Sequence, residues 1–547
     1  MNEQQVLGLV PEPASMQRDD AGCALRPGSA VITSPEPATG GHGNDGRGAV
    51  ARLLARELSA ATGWDVAVTS AAAVTGVPNI ELVAVRDTDG RLGPEGYRLA
   101  STPTGVRIEA SEAAGAFYGT RTLLQLLPPD LLRAAPVGKS PEVLEVPGLR
   151  VEDRPRFAWR GMGLDVSRHY MPKHFILRLV DLAALHKLNT LHLHLTDDQG
   201  WRIQIDKYPR LTAVGAWRRE SPLGHYRDAR TDGTPHGGFY TKADLAEIVA
   251  YAAARFVNVV PEIDMPGHMR AAIAAYPELG NTGEQLEVFT NWGISEDVLN
   301  MQDSTVRFCT DVLEEVMGVF PSRYIHIGGD ECPTRQWETS PRARARASEL
   351  GLGGPEHLQG WFTSQIGRFL ADHGRALVGW DEILDAGAPQ NALITVWRGE
   401  EALRVALTAA RTGHDVVMAP EPWAYFDWSY ADDPREPVAI RPAISVEKAY
   451  SFEPVPEGLE REHAERVIGA QCQLWTEYVN TPAHAEYMYF PRVCAFSEKL
   501  WSPAAAGWDD FEQRLGVHLR RLAAMGVNYR PLDGPTPGQA RLWEAPA

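Results

Sequence analysis

The sequence has few cysteines and no long apolar run, and these absences exclude several classes of protein. Five cysteines are spread over 547 residues, and none forms a Cys-x-x-Cys pair. This argues against a disulfide framework and against a thiolate zinc site. No apolar run approaches membrane-spanning length, and the first residues lack the basic start and apolar core of a signal peptide. We therefore expect a protein of a reducing, cytoplasmic compartment.

Positive charge is also scarce. The chain has 53 Lys and Arg residues against 71 Asp and Glu residues, which gives a formal net charge of −18. Nucleic acid and anionic membranes are therefore unfavourable partners, because both are bound through clustered cations. The apolar fraction of 44% and the charged fraction of 23% are typical of globular proteins. The length predicts roughly two or three domains, and the sequence carries no signal of an oligomeric state.

Residues 1–150 are predicted to form a smaller α+β domain without catalytic function. Residues 80–85 and 105–110 have the pattern of strands and are separated by a turn-rich segment. Ser111 is in position to cap a following helix, which Pro128 and Pro129 would end. Catalytic residue types do not cluster here. Residues 141–155, with a proline at each end, are predicted to be a linker.

Residues 151–547 are predicted to form a (β/α)8 TIM barrel. The candidate strands are 160–166, 190–195, 257–263, 324–327, 376–380, 393–397, 415–419 and 470–475. Amphipathic helices lie between most of them, and one is capped by Thr241 with Asp244 in the capping-box position. The weakest connection is 383–391, which allows only about two helical turns. Because the strands of such a barrel are parallel, we expect the active site at their carboxyl ends.

Carboxylates and aromatic residues follow nearly every candidate strand. In chain order these ends contribute Asp165 and Arg168, Asp197 and Asp198, Asp264 and His268, Asp330 and Glu331, Trp380 to Glu382, Trp397, Tyr425 and Asp427, and Trp475 and Glu477. Tryptophan faces beside charged groups are typical of sugar sites, because pyranose faces stack on indole and hydroxyls pair with charged partners. Core packing explains single tryptophans, but not their recurrence at the same end of several strands.

The fourth candidate strand has the most informative ending. The apolar residues 324–327 run into Gly328 and Gly329, and Asp330 and Glu331 follow. Neighbouring side chains of a strand point to opposite faces, but glycine adopts backbone angles that relax this rule. Both carboxylates are therefore expected in one cleft. Because like charges at that distance oppose each other, we expect the pKa of one carboxyl to rise towards the range of a general acid.

Five segments resemble glycoside hydrolase family 20, the β-N-acetylhexosaminidases. They are LDVSRH (164–169), HLHLTDDQGWR (192–202), PEIDMPGH (261–268), HIGGDE (326–331) and LWTEY (474–478), and residues 115–126 resemble a helix of the family's N-terminal domain. The sequence departs from the pattern at Arg121, where glutamine is more usual, and at Cys332, where a small residue commonly follows the acid. The resemblance implies a glycosidase that releases terminal N-acetylglucosamine or N-acetylgalactosamine and needs no metal or cofactor.

The adjacency of Asp330 and Glu331 also bears on mechanism. Most glycosidases place two carboxylates across the scissile bond, whereas neighbours at one strand end are poorly placed for that, so the second carboxylate is not expected to be the nucleophile. The family instead uses the 2-acetamido group of the substrate. The resemblance then implies that Glu331 is the general acid and later the base. It implies that Asp330 accepts the acetamido N–H and that Tyr425 donates to the acetamido oxygen.

The resemblance assigns further roles. It implies that Trp361, Trp380 and Trp475 enclose the acetamido group and the sugar face, that Arg168 binds the 3- and 4-hydroxyls, that Asp427 and Glu477 bind the 4- and 6-hydroxyls, and that Asp197, Asp264 and His268 orient these groups.

Two other interpretations stay open at this point. His192 and His194 share one face of a strand, as metal ligands often do, so a metal-dependent barrel hydrolase is one alternative. Asp197, Asp198, Asp264 and His268 would complete that site. The other alternative is a sugar-binding protein on an inactive barrel, which requires a missing acid or acetamido ligand, and none is missing. The choice between the two sugars and the nature of the aglycone (chitobiose, glycan or peptidoglycan fragment) also stay open.

Overall fold

A closed eight-stranded parallel barrel forms the larger part of the protein and follows an N-terminal α+β domain, so the predicted fold class is confirmed. The structure is a computed structural model that describes residues 6–33, 46–70, 76–439, 442–503 and 506–543. Within these ranges no helix combines the length and the apolar character needed to cross a bilayer. The cytoplasmic location stays a prediction.

The N-terminal domain is built on a seven-stranded sheet. Its strands, in spatial order, are Ser15–Arg18, Leu149–Asp153, Tyr97–Thr102, Gly105–Ala110, Asn79–Ala84, Val31–Thr33 and Val68–Thr69. The helices Gly46–Thr62 and Ala113–Leu126 pack against each other and against the sheet. In the strand Tyr97–Thr102 the side chains of Tyr97 and Leu99 are buried and that of Arg98 is not, which is the alternation expected of a sheet with one covered face.

Two local predictions in this domain are wrong. The predicted linker is largely strand, because Leu144–Val146 pairs with Cys23–Leu25 and Leu149–Asp153 lies between two neighbours of the main sheet. The flanking prolines suggested a linker, but the apolar residues in this segment alternate and fill the covered face. Ser111 does not cap the helix either. Its hydroxyl donates to the Gly93 carbonyl at 2.6 Å, and the helix starts two residues later without a side-chain cap.

All eight predicted barrel strands are present, with ends that differ by a few residues. They are Trp159–Asp165, Thr190–His194, Asn258–Glu262, Tyr324–His326, Ala376–Trp380, Leu393–Val396, Val416–Met418 and Val467–Leu474. Each pairs in parallel with the next, and the last pairs with the first. Their burial is nearly continuous, as expected of strands inside a ring of helices. The barrel therefore brings eight carboxyl ends to one mouth.

Helices and short hairpins connect these strands, and four further helices follow the last strand within the described residues. The helices are Lys173–Leu185, Arg210–Ala213, Lys242–Ala253, Arg270–Ala275, Asp303–Val319, Arg335–Thr339, Pro341–Glu349, Leu358–Asp372, Glu382–Asp385, Ala402–Arg411, Glu421–Ala424, Val446–Tyr450, Arg461–Ala464, Pro482–Tyr489, Arg492–Trp501, Trp508–Ala524 and Pro537–Trp543. The capping box of Thr241 and Asp244 is confirmed. The connection after the fifth strand holds only the one-turn helix Glu382–Asp385, in agreement with the expectation that it is the weakest.

A buried ion pair joins the N-terminal domain to the barrel. Lys187 Nζ lies 2.7 Å from Asp153 Oδ2, and both side chains are almost fully buried. Asp153 also accepts hydrogen bonds from the Tyr97 hydroxyl at 2.6 Å and from Trp501 Nε1 at 3.0 Å. Burial lowers the pKa of Lys187, and Asp153 opposes that shift. Each charge is therefore compensated only while the two domains stay together.

The substitution Asp153→Asn is expected to lower the free energy of unfolding by about 3–5 kcal/mol, because it leaves a buried ammonium group without its counter-charge. Denaturant unfolding of the full chain measures this loss. The matched control is Asp19→Asn, which removes an exposed partner of Arg150 and should cost less than about 1 kcal/mol. Equal losses in the two variants would show that the buried pair does not stabilise the fold.

Candidate active site

A cavity of about 300 Å³ lies at the carboxyl ends of the barrel strands. Most of the site residues predicted from the sequence line it, namely Arg168, Asp197, Asp264, Asp330, Glu331, Tyr425, Asp427, Trp475 and Glu477. These residues are far apart in the sequence and meet because parallel strands end at the same mouth. The structure thus brings together acids, a tyrosine, an arginine and an indole face around one space of monosaccharide size.

Three predicted site residues do not line the cavity. His268 lies directly beneath it, with Nε2 3.8 Å from Asp330 Oδ2 and 3.7 Å from Glu331 Oε2. Trp380 is buried behind Trp475, with ring centroids 5.8 Å apart. Trp361 lies in the helix Leu358–Asp372, where the guanidinium of Arg346 is 5.1 Å from its ring centroid. The contact of Trp361 with a sugar stays a prediction.

The Gly-Gly turn places both acids in the cavity. Gly328 and Gly329 have φ angles of 63° and 89°, and a Cβ at Gly328 would lie 1.8 Å from an oxygen of Asp264. Only glycine fits that conformation and that approach. Glu331 itself has a φ of 46°, which is rare for a residue with a side chain and is typical of functional sites. The side chain of Asp330 is 16% exposed and that of Glu331 is 38% exposed.

The raised pKa in this pair belongs to Asp330. Burial raises the pKa of Asp330 well above its usual value, and the nearby carboxyl of Asp264 adds to the shift. Repulsion from Glu331, which the sequence argument took as the cause, is a smaller contribution. Asp330 Oδ1 is buried and accepts no hydrogen bond from the described part of the chain. A buried acceptor without a donor is what an N–H group of a ligand would satisfy.

Charged side chains of alternating sign lie next to Asp330 and Glu331. Asp197 accepts hydrogen bonds from His194 Nε2 at 2.9 Å and from His268 Nδ1 at 3.2 Å, and Arg168 Nη2 lies 2.8 Å away. Burial acts to raise the pKa of Asp197, but Arg168 and His268 hold that pKa well below its usual range. Burial likewise acts to lower the pKa of His268, but Asp197 and Asp264 raise it well above its usual value. His268 is therefore an imidazolium beside the two acids.

The two histidines considered as metal ligands, His192 and His194, lie next to a carboxylate. His192 Nε2 and His194 Nδ1 lie 2.9 and 2.6 Å from Glu262 Oε2, so Glu262 occupies the space between the imidazoles. Carboxylates are themselves metal ligands, and Glu262 forms one group of possible ligands with His192 and His326 and another with His194 and Asp264. Sequence reasoning missed Glu262 because it stands within an apolar strand. The available signal was its position two residues before Asp264, which places both on the same face of the strand.

Arg168 forms one wall of the cavity. Its guanidinium lies 5.3 Å from the ring centroid of Trp475, and its Nε donates to Gln199 at 3.0 Å. Asp427 and Glu477 line the same cavity; burial raises the pKa of Asp427 well above its usual value, and Glu477 adds to that shift. The wall therefore presents a cation, two acids and an aromatic face, which is a suitable set of partners for sugar hydroxyls.

Tyr425 and its neighbours form another part of the lining. Its ring stacks on that of Trp397 with centroids 6.2 Å apart and lies 6.1 Å from that of Trp475. Burial raises the pKa of Tyr425 well above its usual value, and Glu421 adds to the shift, so its hydroxyl keeps its proton. Lining residues to which the resemblance assigned no role are His194, Trp292, Gly293, Ile294, Trp397, Glu421 and Trp428. Most of them come from connections, where no periodic pattern indicates which side chains point inward.

Comparisons with known proteins agree with this geometry. The model "Glycosyl hydrolase family 20, catalytic domain" matches residues 157–504, and "Glycosyl hydrolase family 20, domain 2" matches residues 6–154. A beta-hexosaminidase of Porphyromonas gingivalis is 41% identical over 486 residues, which cover 88% of this chain and 60% of the relative, so the chain spans less than two thirds of that protein. A beta-hexosaminidase of Vibrio furnissii is 36% identical over 497 residues, covering 90% of this chain and 76% of the relative.

Solved structures show the same similarity. The GH20 beta-N-acetylhexosaminidase from Streptomyces coelicolor A3(2) superposes with a TM-score of 0.81 at 34% identity, and the match covers 98% of each chain. The catalytic-domain model matches more than half of the chain, and the second model matches the domain that precedes the barrel. The chain therefore belongs to glycosyl hydrolase family 20.

Proposed function

We propose that the protein is an exo-acting, retaining β-N-acetylhexosaminidase that releases N-acetylglucosamine or N-acetylgalactosamine from non-reducing ends. The observation that carries the proposal is the placement of the adjacent residues Asp330 and Glu331 in one cavity with Tyr425. Two carboxyls on one turn do not face each other across a glycosidic bond, so an attacking group must come from elsewhere. The 2-acetamido group of the substrate is such a group.

Each step of this reaction has a side chain to perform it. Glu331 gives its proton to the glycosidic oxygen as the acetamido oxygen attacks C1, and the C1–oxygen bond of the aglycone breaks. Asp330 accepts the acetamido N–H and balances the positive charge of the oxazolinium ring, while Tyr425 donates to the acetamido oxygen. Glu331, now ionised, then takes a proton from water, which attacks C1 and opens the ring. Two inversions at C1 give retention.

The remaining side chains suit the recognition of one terminal sugar. Arg168 would bind the 3- and 4-hydroxyls, and Asp427 and Glu477 the 4- and 6-hydroxyls, because charged groups form the strongest hydrogen bonds to neutral hydroxyls. Trp475 would stack on the apolar face of the ring. The substrate is then a small oligosaccharide or glycoconjugate with a terminal N-acetylhexosamine.

An aryl glucoside with a 2-hydroxyl in place of the acetamido group is expected to be almost inert. The loss in kcat/KM should reach at least about 10⁴-fold, because the nucleophile is absent and the groups built to hydrogen-bond it are left unpaired. Steady-state assays of the two glycosides with the same aryl group test this expectation, and NMR of early time points reports the first-formed anomer. Comparable hydrolysis of the glucoside, or an inverted first product, would contradict the proposal.

A further inference from the structure

Glu262 is a fully buried carboxylate inside the barrel that does not line the cavity. It ends the third barrel strand and its side chain is fully buried. Its Oε2 accepts a hydrogen bond from His194 Nδ1 at 2.6 Å, and its Oε1 accepts one from Trp380 Nε1 at 2.9 Å. His326 Nδ1 lies 3.0 Å from Oε1. Side chains from the second, fourth and fifth strands thus converge on one carboxylate.

Two routes lead from Glu262 to the cavity. The first runs through His194, which itself lines the cavity and whose other ring nitrogen donates to Asp197, and from Asp197 to His268. The second runs through Trp380, whose ring lies against Trp475, a cavity-lining residue. The first route ends under the acids that carry the reaction, and the second ends at the sugar face. Glu262 is the group that both routes share.

The charges along the first route alternate in sign. His194 stands between two carboxylates and donates to both, so both of its nitrogens carry protons. Glu262 is ionised as well, because three surrounding imidazoles outweigh the effect of burial. The order from the strand to the cavity is carboxylate, imidazolium, carboxylate, imidazolium and then the acidic pair. In a water-poor interior such a sequence is rigid, since moving one member separates charges on both sides.

We propose that Glu262 is a positioning residue that acts through His194, Asp197 and His268 to hold the acidic pair in its reactive geometry. The inference rests on the proposed function, because the effect of Glu262 is measured as a rate of hydrolysis of an acetamido sugar. Glu262 contacts neither the cavity nor the reacting atoms. Its loss should therefore reduce the rate of the bound complex while the sugar still binds.

The test is Glu262→Gln in the full chain, with Glu498→Gln as the matched control. Glu498 is also a fully buried carboxylate, but its partner is Arg514, outside the cavity lining. Both variants should lose stability, and titration with a tight-binding thiazoline inhibitor counts the folded active sites of each. Per active site, Glu262→Gln should lower kcat roughly 10- to 100-fold, the range of a hydrogen bond to a charged group, with little change in KM. Glu498→Gln should leave kcat unchanged.

A double-mutant cycle tests the route. If Glu262 acts through Asp197, Glu262→Gln should lower kcat much less in the Asp197→Asn background than it does in the wild type. Additive losses of kcat would overturn this route. A Glu262→Gln variant whose kcat per active site equals that of the wild type would also overturn it. Trp380→Phe breaks the second route by removing the indole N–H and part of the ring, so a Glu262→Gln substitution that no longer lowers kcat in this background would also overturn the first route. A wild type inactive on acetamido sugars would instead refute the proposed function.

Discussion

Replacing Glu331 with glutamine is expected to lower kcat by about 10²–10⁴-fold on substrates with a poor leaving group, which is the contribution of a positioned general acid. Glutamine has nearly the same shape but has no proton to give to the departing oxygen. The decrease in the rate of bond breaking should be smaller for a 4-nitrophenyl leaving group, because this group departs without protonation. A series of aryl 2-acetamido glycosides with leaving groups of increasing pKa measures this dependence.

Binding provides the control for Glu331→Gln. The side chain is 38% exposed at the edge of the cavity, and Arg168, Asp427 and Trp475 remain in place in the variant. Calorimetric titration with N-acetylglucosamine should therefore give a Kd close to that of the wild type. Near-normal turnover of a substrate with a poor leaving group would remove Glu331 from the acid role, and a lost affinity would show that the substitution disturbed the cavity itself.

Asp330→Asn is expected to lower kcat by roughly 10²–10³-fold, the size of effect found when one preorganised electrostatic partner of a transition state is removed. The amide keeps a hydrogen-bond acceptor for the acetamido group, but it lacks the negative charge that balances the forming oxazolinium ring. The ground state is affected less than the transition state, so KM should change little. The ratio of the two effects separates this role from simple binding.

The pH dependence gives an independent readout for Asp330. Burial raises its pKa well above the usual value, and its reactive form is the ionised one, so kcat/KM should rise with pH through that pKa. In Asp330→Asn this rise should disappear. Burial also raises the pKa of Asp264, to about 8, so a rise that persists near that pH in the variant belongs to Asp264. A profile unchanged by Asp330→Asn would contradict the assignment.

The barrel was predictable because its signals are local and repeated. Each strand is a short apolar run with a polar or aromatic ending, and the parallel topology then dictates that the endings meet. The same reasoning predicted the acids, since Gly328 and Gly329 indicate a backbone that releases Asp330 and Glu331 from strand alternation. The alternation in Leu149–Asp153 was equally visible, but the neighbouring prolines outweighed it in the sequence argument.

Other parts of the site depend on tertiary packing that no local pattern encodes. Trp292 and Ile294 reach the cavity because the amide of Gln199 donates to the backbone carbonyls of Asn291 and Gly293. That contact joins segments that are 92 and 94 residues apart in the sequence. Trp361 is a different case, because its residue type suits a sugar site but it lies on a helix beside Arg346 and is not among the residues that line the cavity.

The salt bridge between Lys187 and Asp153 also limits how this enzyme can be divided. A fragment that begins at the barrel would keep Lys187 next to Trp501 but lose the carboxylate that neutralises it. Arg160, also fully buried, would lose Glu95 in the same cut. Exchange of the first domain between homologues will thus succeed only where the incoming domain carries both acids, so the two regions have to be inherited and engineered together.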